Sequence, residues 1–282
     1  MSAAGFLNIT RPANAVMAGV AAIVAYLIAT GTLVTATLLL FVVVALITAA
    51  GNVINDYFDA GIDAVNRADR PIPSGQVSCN AALWYAILLF AAGIAASLFT
   101  NPICAEIAIF NSFLLALYAA RLKSMPVVGN IAVAYLSGSM FLFGGAFAGV
   151  DGLFHLTPLA MMTFLAMMAR ELLKDAEDVE GDKAGGASTL PIRVGVKKTA
   201  YCAFVFVLLS AVASTVPFLL WGWGIPYLAM IGIVDLVLII AAFRALHCES
   251  PACIRESGAS SVLKYSMFAS LLVFIIAVIF FH

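Results

Sequence analysis

Apolar residues run along this chain in blocks of roughly 20, and at about 1.5 Å per helical residue each block matches the hydrocarbon core of a bilayer, roughly 30 Å thick. The pattern predicts about nine such helices, at roughly 13–30, 33–54, 80–99, 103–121, 128–149, 156–174, 199–221, 225–246 and 261–281. Glycine and proline punctuate the joints: Gly31, Pro71 with Pro73, Pro102, Pro126 with Gly129, Gly152 with Pro158, Pro191, Gly224 with Pro226, and Pro251 with Gly258. The expected fold is an all-α membrane protein, a single transmembrane domain over residues 1–282.

Polar positions are distributed unevenly around these blocks. With nine spans, all 14 Lys and Arg residues fall on the side that carries the N-terminus. The positive-inside rule then puts the N-terminus in the cytoplasm and the C-terminus outside. Two long connections, Asn55 to Asn80 and Asp175 to Lys198, hold most of the charge, while the outer ones (TNPI, VDGLFH, WGWGI) are short and nearly neutral. The opening SAAGFLNITRP does not read as a cleavable signal peptide, so insertion is expected through the first helix.

Composition supports a bilayer location. Hydrophobic residues make up 64% of the chain and charged residues 10%, with a mean hydropathy of +1.09; a soluble domain this apolar could not keep its surface wet. A net charge of −1 gives no nucleic-acid footprint. The cysteines, Cys79, Cys104, Cys202, Cys248 and Cys253, read as buried small hydrophobes. Cys248 and Cys253 share a loop, but an expected cytoplasmic position argues against a bridge. His155 and His247 fall in loops and His282 ends the chain, so no histidine metal cluster is expected.

Candidate chemistry sits in two acidic regions, 51–75 and 170–195. In GNVINDYFDAGIDAVNRADRPIPSG, residues Asn52, Asn55, Asp56, Asp59 and Asp63 share one face of a helix turning about 100° per residue. Arg67 and Arg70 lie just beyond. In RELLKDAEDVEGDKAGGASTLPIRVG, Glu171, Asp175, Asp178 and Asp182 share a face if the helix continues, while Glu177 and Glu180 point away as solvated charges. Each ladder follows a span and leads into a Pro-Ile, a faint four-helix repeat that would set the two ladders across a central cavity. Carboxylates facing each other with Arg and Lys at their margins suit a diphosphate bridged by Mg²⁺, a hard cation shared between carboxylates and phosphates. An ion pathway is the competing reading of intramembrane acids, but polar residues at mid-membrane depth are sparse.

NDYFDAGID, Asn55 to Asp63, resembles the NDxxDxxxD signature of the UbiA superfamily of intramembrane prenyltransferases. YAARLKSMPVVGN resembles its Y…LK…P…GN run, and the likeness extends over nearly the whole chain. The two acidic runs together are most similar to the archaeal members that build the second ether bond of membrane lipids. Chlorophyll synthases share a similar first motif. The resemblance implies a UbiA-like bundle and Mg²⁺-dependent transfer of geranylgeranyl from its diphosphate to the hydroxyl of geranylgeranylglyceryl phosphate. A chlorophyllide, quinone precursor or other aromatic acceptor is the alternative.

It further implies Asn55, Asp59, Asp63, Asp175, Asp178 and Asp182 as Mg²⁺ ligands with Asp56 in support, and Asp59, Asp63, Asp178 and Asp182 as the catalytic set. Arg67, Arg70, Lys123 and Lys183 are implied to hold phosphate, and Asn14 and Tyr118 are implied as further substrate-binding residues. Partners are then a prenyl diphosphate, a lipid phosphate acceptor and membrane lipids, with no nucleic acid and no obligate protein partner. Among the remaining polar residues, Lys197 and Lys198 suit a headgroup surface, and Asp235 is a mid-span acid without an evident partner. Gly138, Gly144, Gly145 and Gly149 are expected to permit close helix packing.

Overall fold

The computed structural model describes residues 1–280, apart from the side chains of residues 65 and 66; His282 lies outside the described residues. Among those described, nine helices are long and apolar enough to cross a membrane, and no strand occurs. Leu88, Phe113, Val212 and Ile233 on these helices are each more than 60% exposed. Side chains of that size cannot face water in such numbers, so their faces belong against lipid.

One compact unit comprises Met1–Leu122 and Ser139–Leu156. It contains α1 (Ala3–Ile9), α2 (Pro12–Thr30), α3 (Thr37–Asn66), α4 (Cys79–Ser97) and α5 (Pro102–Ala120), and the adjoining ends of α6 (Val128–Phe147) and α7 (Val150–Glu177). Local chemistry sets these ends. Proline opens α2 and α5, where its missing N–H is not needed, and the Asn101 side chain accepts from the Cys104 N–H at 2.9 Å. Gly31 closes α2 in the left-handed region, φ 68°. The helix α3 packs on α2, α4 and α5. Its Leu40, Val43, Val44 and Ile47 join Ala18, Ala22, Cys104, Ala108, Phe143 and Ala146 in one core. A second core, including Ile9, Val53, Ile54, Val77, Ala82 and Ala119, lies nearer the first acidic region.

The other unit comprises Lys123–Gly138 and the chain from Thr157 on. It adds α8 (Val179–Ala184), α9 (Leu190–Val194), α10 (Val196–Ala213), α11 (Val216–Leu220), α12 (Ile225–Ala245), α13 (Pro251–Ser257) and α14 (Ala259–Phe280). Trp223 and Tyr227, both fully buried, stack edge to face at 4.9 Å, and Phe274 of α14 packs on Trp223. Beside them the Ser214 hydroxyl donates to Asp235 Oδ2 at 2.6 Å, and the Tyr227 hydroxyl donates to the Ser214 carbonyl at 2.7 Å. Asp235 is therefore hydrogen-bonded inside this unit, to a partner that the sequence did not reveal.

Several expectations are corrected. Pro158 does not begin a helix but lies inside α7, which starts at Val150; in a membrane helix, neighbouring groups and local adjustment can absorb the one hydrogen bond a proline removes. Gly149 has φ 108° and open space at its Cβ position, so it serves the α6–α7 turn rather than packing. Cys104 is buried, but Cys79 and Cys202 are exposed. Cys248 and Cys253 are bonded, their Cα atoms 5.3 Å apart, because the turn entering α13 brings them within bonding reach.

Close packing does hold at Gly138 and Gly144. A Cβ at Gly138 would lie 2.5 Å from the Ala160 carbonyl oxygen, and one at Gly144 would run into the carbonyl oxygen of Ala22 on α2. Backbone cannot rotate aside as a side chain can. Gly144→Val should therefore destabilise the protein by about 1–3 kcal/mol, seen as a lowered thermal midpoint in detergent. Gly232→Ala, with nothing near its Cβ, should not lower it.

Candidate active site

The first acidic region is the last part of α3 and the loop after it. Asp56 is 4% exposed and Asp63 6%, and charges this buried need partners. Arg70 supplies them: its Nη1 lies 2.5 Å from Asp63 Oδ2 and 3.4 Å from Asp56 Oδ1. A second cation comes from an unforeseen place. Arg11 Nη2 donates to Asp56 Oδ1 at 2.5 Å from the joint between α1 and α2. Its backbone has φ 50°, ψ 68°, a left-handed conformation that non-glycine residues rarely hold without cause. Pro12 follows it and disfavours the ordinary helical alternative.

Half-buried Asn55 donates to Asp59 Oδ2 at 2.9 Å across one turn. Asn52 donates to the Thr10 carbonyl at 2.9 Å, fastening the N-terminal segment to the same face. Arg67 caps α3, its backbone N–H on the Asp63 carbonyl at 2.8 Å, with its side chain exposed. Asn14 is exposed in the first turn of α2, and Tyr118 is half-buried near the end of α5. Arg11, Asp56, Asp63 and Arg70 are thus gathered into one ion-pair network, and Asn55 and Asp59 form a further hydrogen-bonded pair on the same helix.

In the second region the predicted single helix is broken. The helix α7 ends at Glu177 and α8 starts at Val179, with Asp178 as the connecting cap residue. Asp175 stays on α7, half-buried, and accepts from Asn130 Nδ2 at 2.8 Å. Asp178 and half-buried Asp182 flank the first turn of α8, the Asp182 N–H donating to the Asp178 carbonyl at 2.9 Å. Burial pushes the Asp182 carboxyl above the usual carboxylate range, and the neighbouring Asp178 adds to the rise. Glu171, 5% exposed, is taken up by Arg170 and by Lys174 at 3.6 Å, so it is a structural ion pair rather than part of a shared ladder.

The segment carrying Lys123 is tied to this region by the Ser188 N–H donating to the Ser124 carbonyl at 3.0 Å; Lys123 is half-buried and Lys183 exposed on α8. Val127, φ 65°, is a β-branched residue in the left-handed region, three positions before Asn130. Sequence reasoning did not single out Arg11 or Asn130. Only the GN of PVVGN hinted at the latter.

The donors in both regions are oxygens from Asp and Asn, with no sulfur or imidazole, a set suited to a hard divalent cation. Among the described residues no three His, Cys, Asp or Glu converge as a metal cage. Mg²⁺ usually takes one or two carboxylates and completes its six positions with water and substrate phosphate.

Against known proteins, residues 17–272 match the model of the UbiA prenyltransferase family. A relative from Methanoregula boonei named digeranylgeranylglyceryl phosphate synthase is 60% identical over 281 residues, covering 99% of this chain and 100% of that protein. One of the same name from Methanoculleus marisnigri is 58% identical, covering 99% and 100%. A solved structure described as a digeranylgeranylglyceryl phosphate synthase in membranes superposes with a TM-score of 0.81 at 37% identity, covering 98% of each chain. A homologue from Archaeoglobus fulgidus, solved with GPP and Mg²⁺, shares the fold at a TM-score of 0.64 and 17% identity. Spanning helices, the Asn55–Asp63 motif and a match over most of its length agree: the chain belongs to the UbiA prenyltransferase family.

Proposed function

We infer that this membrane protein is a Mg²⁺-dependent prenyltransferase that moves geranylgeranyl from geranylgeranyl diphosphate to the free hydroxyl of geranylgeranylglyceryl phosphate. The observation that carries the reading is identity of 58–60% along essentially the whole chain to relatives named for that synthesis. The two units act as one catalytic domain on this reading, with the N-terminus and both acidic regions at the cytoplasmic face and the C-terminus outside.

In the reaction the allylic C–O bond breaks with its electron pair leaving on diphosphate. The acceptor oxygen forms the new ether bond and gives up its proton to the released diphosphate or to a carboxylate of the acidic motifs. Asn55, Asp59 and Asp63, with Asp175, Asp178 and Asp182, would hold Mg²⁺, which when bound neutralises the departing diphosphate. Arg67, Lys123 and Lys183 bind phosphate oxygens. Arg70, held on Asp63 and Asp56, shares that task and keeps the buried acids in place. Asp56, clamped by Arg11 and Arg70, orders the first motif rather than ligating. Apolar helix faces hold the isoprenoid tails and exclude water, which would otherwise trap the allylic cation.

Asp59→Asn or Asp178→Asn should lower turnover by about 10²-fold or more, while circular dichroism and gel filtration in detergent stay as in the parent protein. Thorough chelation should abolish turnover, and added Mg²⁺ should restore it. Offered a panel of acceptors with one labelled prenyl diphosphate, the purified protein should label geranylgeranylglyceryl phosphate and leave chlorophyllide and aromatic acids untouched. For the orientation, a membrane-impermeant maleimide should reach exposed Cys79, at the start of α4, from the cytoplasmic side of sealed vesicles only.

A further inference from the structure

The connection from α12 to α14 carries features that the reaction chemistry leaves unused. Cys248 and Cys253 are joined there, closing a short loop around the start of α13. Ser250 within the loop caps α13, its hydroxyl accepting from the Cys253 N–H at 3.3 Å. Cys248 is 3% exposed and Ile254 fully buried, so the loop is seated in the protein. Two charged residues reach from it to other helices. Glu249 Oε1 lies 2.7 Å from Lys197 Nζ in the first turn of α10. Arg255 Nη2 donates to the Glu177 carbonyl oxygen at 2.8 Å.

Glu177 is the last residue of α7, and the next residue is Asp178. Its carbonyl lies where the helix is interrupted and regular backbone hydrogen bonding ends. The Arg255 guanidinium therefore grips the backbone at the joint that aims Asp178 and, one turn on, Asp182. Arg255 sits on a helix of only 7 residues, too short to be stable alone. The disulfide pins the first turn of that helix.

We propose that Arg255, held by the Cys248–Cys253 disulfide, is a positioning residue for the second acidic motif, and that reduction of the disulfide weakens divalent-cation binding there. Reduction by a dithiol delivers two electrons and two protons, leaving two cysteine thiols and converting the dithiol to its own disulfide. The loop then loses its constraint and Arg255 its fixed origin. On a cytoplasmic face, where most disulfides are transient, this couples the motif to the thiol balance of the cell. The proposal rests on reading Asp178 and Asp182 as cation ligands.

The test uses the full-length protein in detergent, untreated and after dithiothreitol. Alkylation and mass spectrometry before reduction should find Cys79, Cys104 and Cys202 as thiols, with Cys248 and Cys253 linked. Mn²⁺ binding is then followed by the loss of its free-ion paramagnetic resonance signal, and Mg²⁺ dependence by turnover. Reduction should weaken Mn²⁺ binding and raise the half-saturating Mg²⁺ concentration by about tenfold, the scale expected for removing a group that supports metal ligands. The double variant Cys248→Ser/Cys253→Ser should show the weakened value with or without dithiothreitol. Arg255→Ala should do the same, and Arg255→Lys should recover part of the loss.

Free thiols at Cys248 and Cys253 in the untreated protein would overturn the proposal. So would equal Mn²⁺ affinity in the oxidised and reduced forms, or an Arg255→Ala protein that loses maximal turnover with unchanged cation dependence. If Mn²⁺ binding responds as expected but geranylgeranyl transfer is absent in every form, the positioning role stands and the assigned reaction falls.

Discussion

The buried acids of α3 cannot remain charged without cations beside them, and Arg70 is the side chain on which that balance turns. Its guanidinium meets Asp56 and Asp63, which lie seven positions apart on the same helix face. Both carboxylates are almost wholly removed from solvent. Removing one member of such a group leaves an uncompensated charge in a region that solvates it poorly. The loop from residue 67 to 78 is held in place by this demand as much as by its prolines. Arg11 completes the arrangement from the other side, so the first two turns of chain and the loop after α3 meet on one acid.

The bilayer made most of the fold legible. A helix that crosses it must be apolar for about 20 residues, and no tertiary contact can hide that requirement. Nine blocks in the sequence reappear as nine candidate spans among the described residues, the second, sixth and ninth extending well past their expected ends as Thr37–Ala64, Val150–Glu177 and Pro251–Phe280. The short helices were not legible, because segments of five to seven residues, such as Leu190–Val194 and Ala3–Ile9, carry too little periodicity to separate them from loops. Pro158 misled for a different reason: a rule learned from water-exposed helices assigns it to an end, and inside a membrane bundle the rule weakens.

Within the candidate site, periodicity found the acids of α3 because the helix carries on unbroken to Asn66. It failed where α7 stops. Angular spacing placed Glu171 with Asp178 and Asp182 on one face, but the chain changes direction at Asp178, and Glu171 turns instead to Arg170 and Lys174. Arg11 escaped notice because its partner is 45 residues away and its left-handed backbone has no signature in a single sequence. The cysteine pair was dismissed on an argument about compartment, which says whether a bond persists and nothing about whether two side chains meet.

The N-terminal segment is laced to chain made much later. The Ser2 N–H donates to the Gln76 carbonyl at 2.9 Å, and Gly5 sits against Gln76 and Val77 so closely that a Cβ would lie 2.8 Å from that of Gln76. During synthesis these seats do not exist until α3 and the loop behind it have emerged. The first residues must wait, unanchored, while two hydrophobic helices enter the bilayer ahead of their final docking. Docking of this segment on the first acidic motif therefore has to follow the emergence of residue 77, and extra residues fused ahead of Ser2 would be carried to the seat that this segment has to reach.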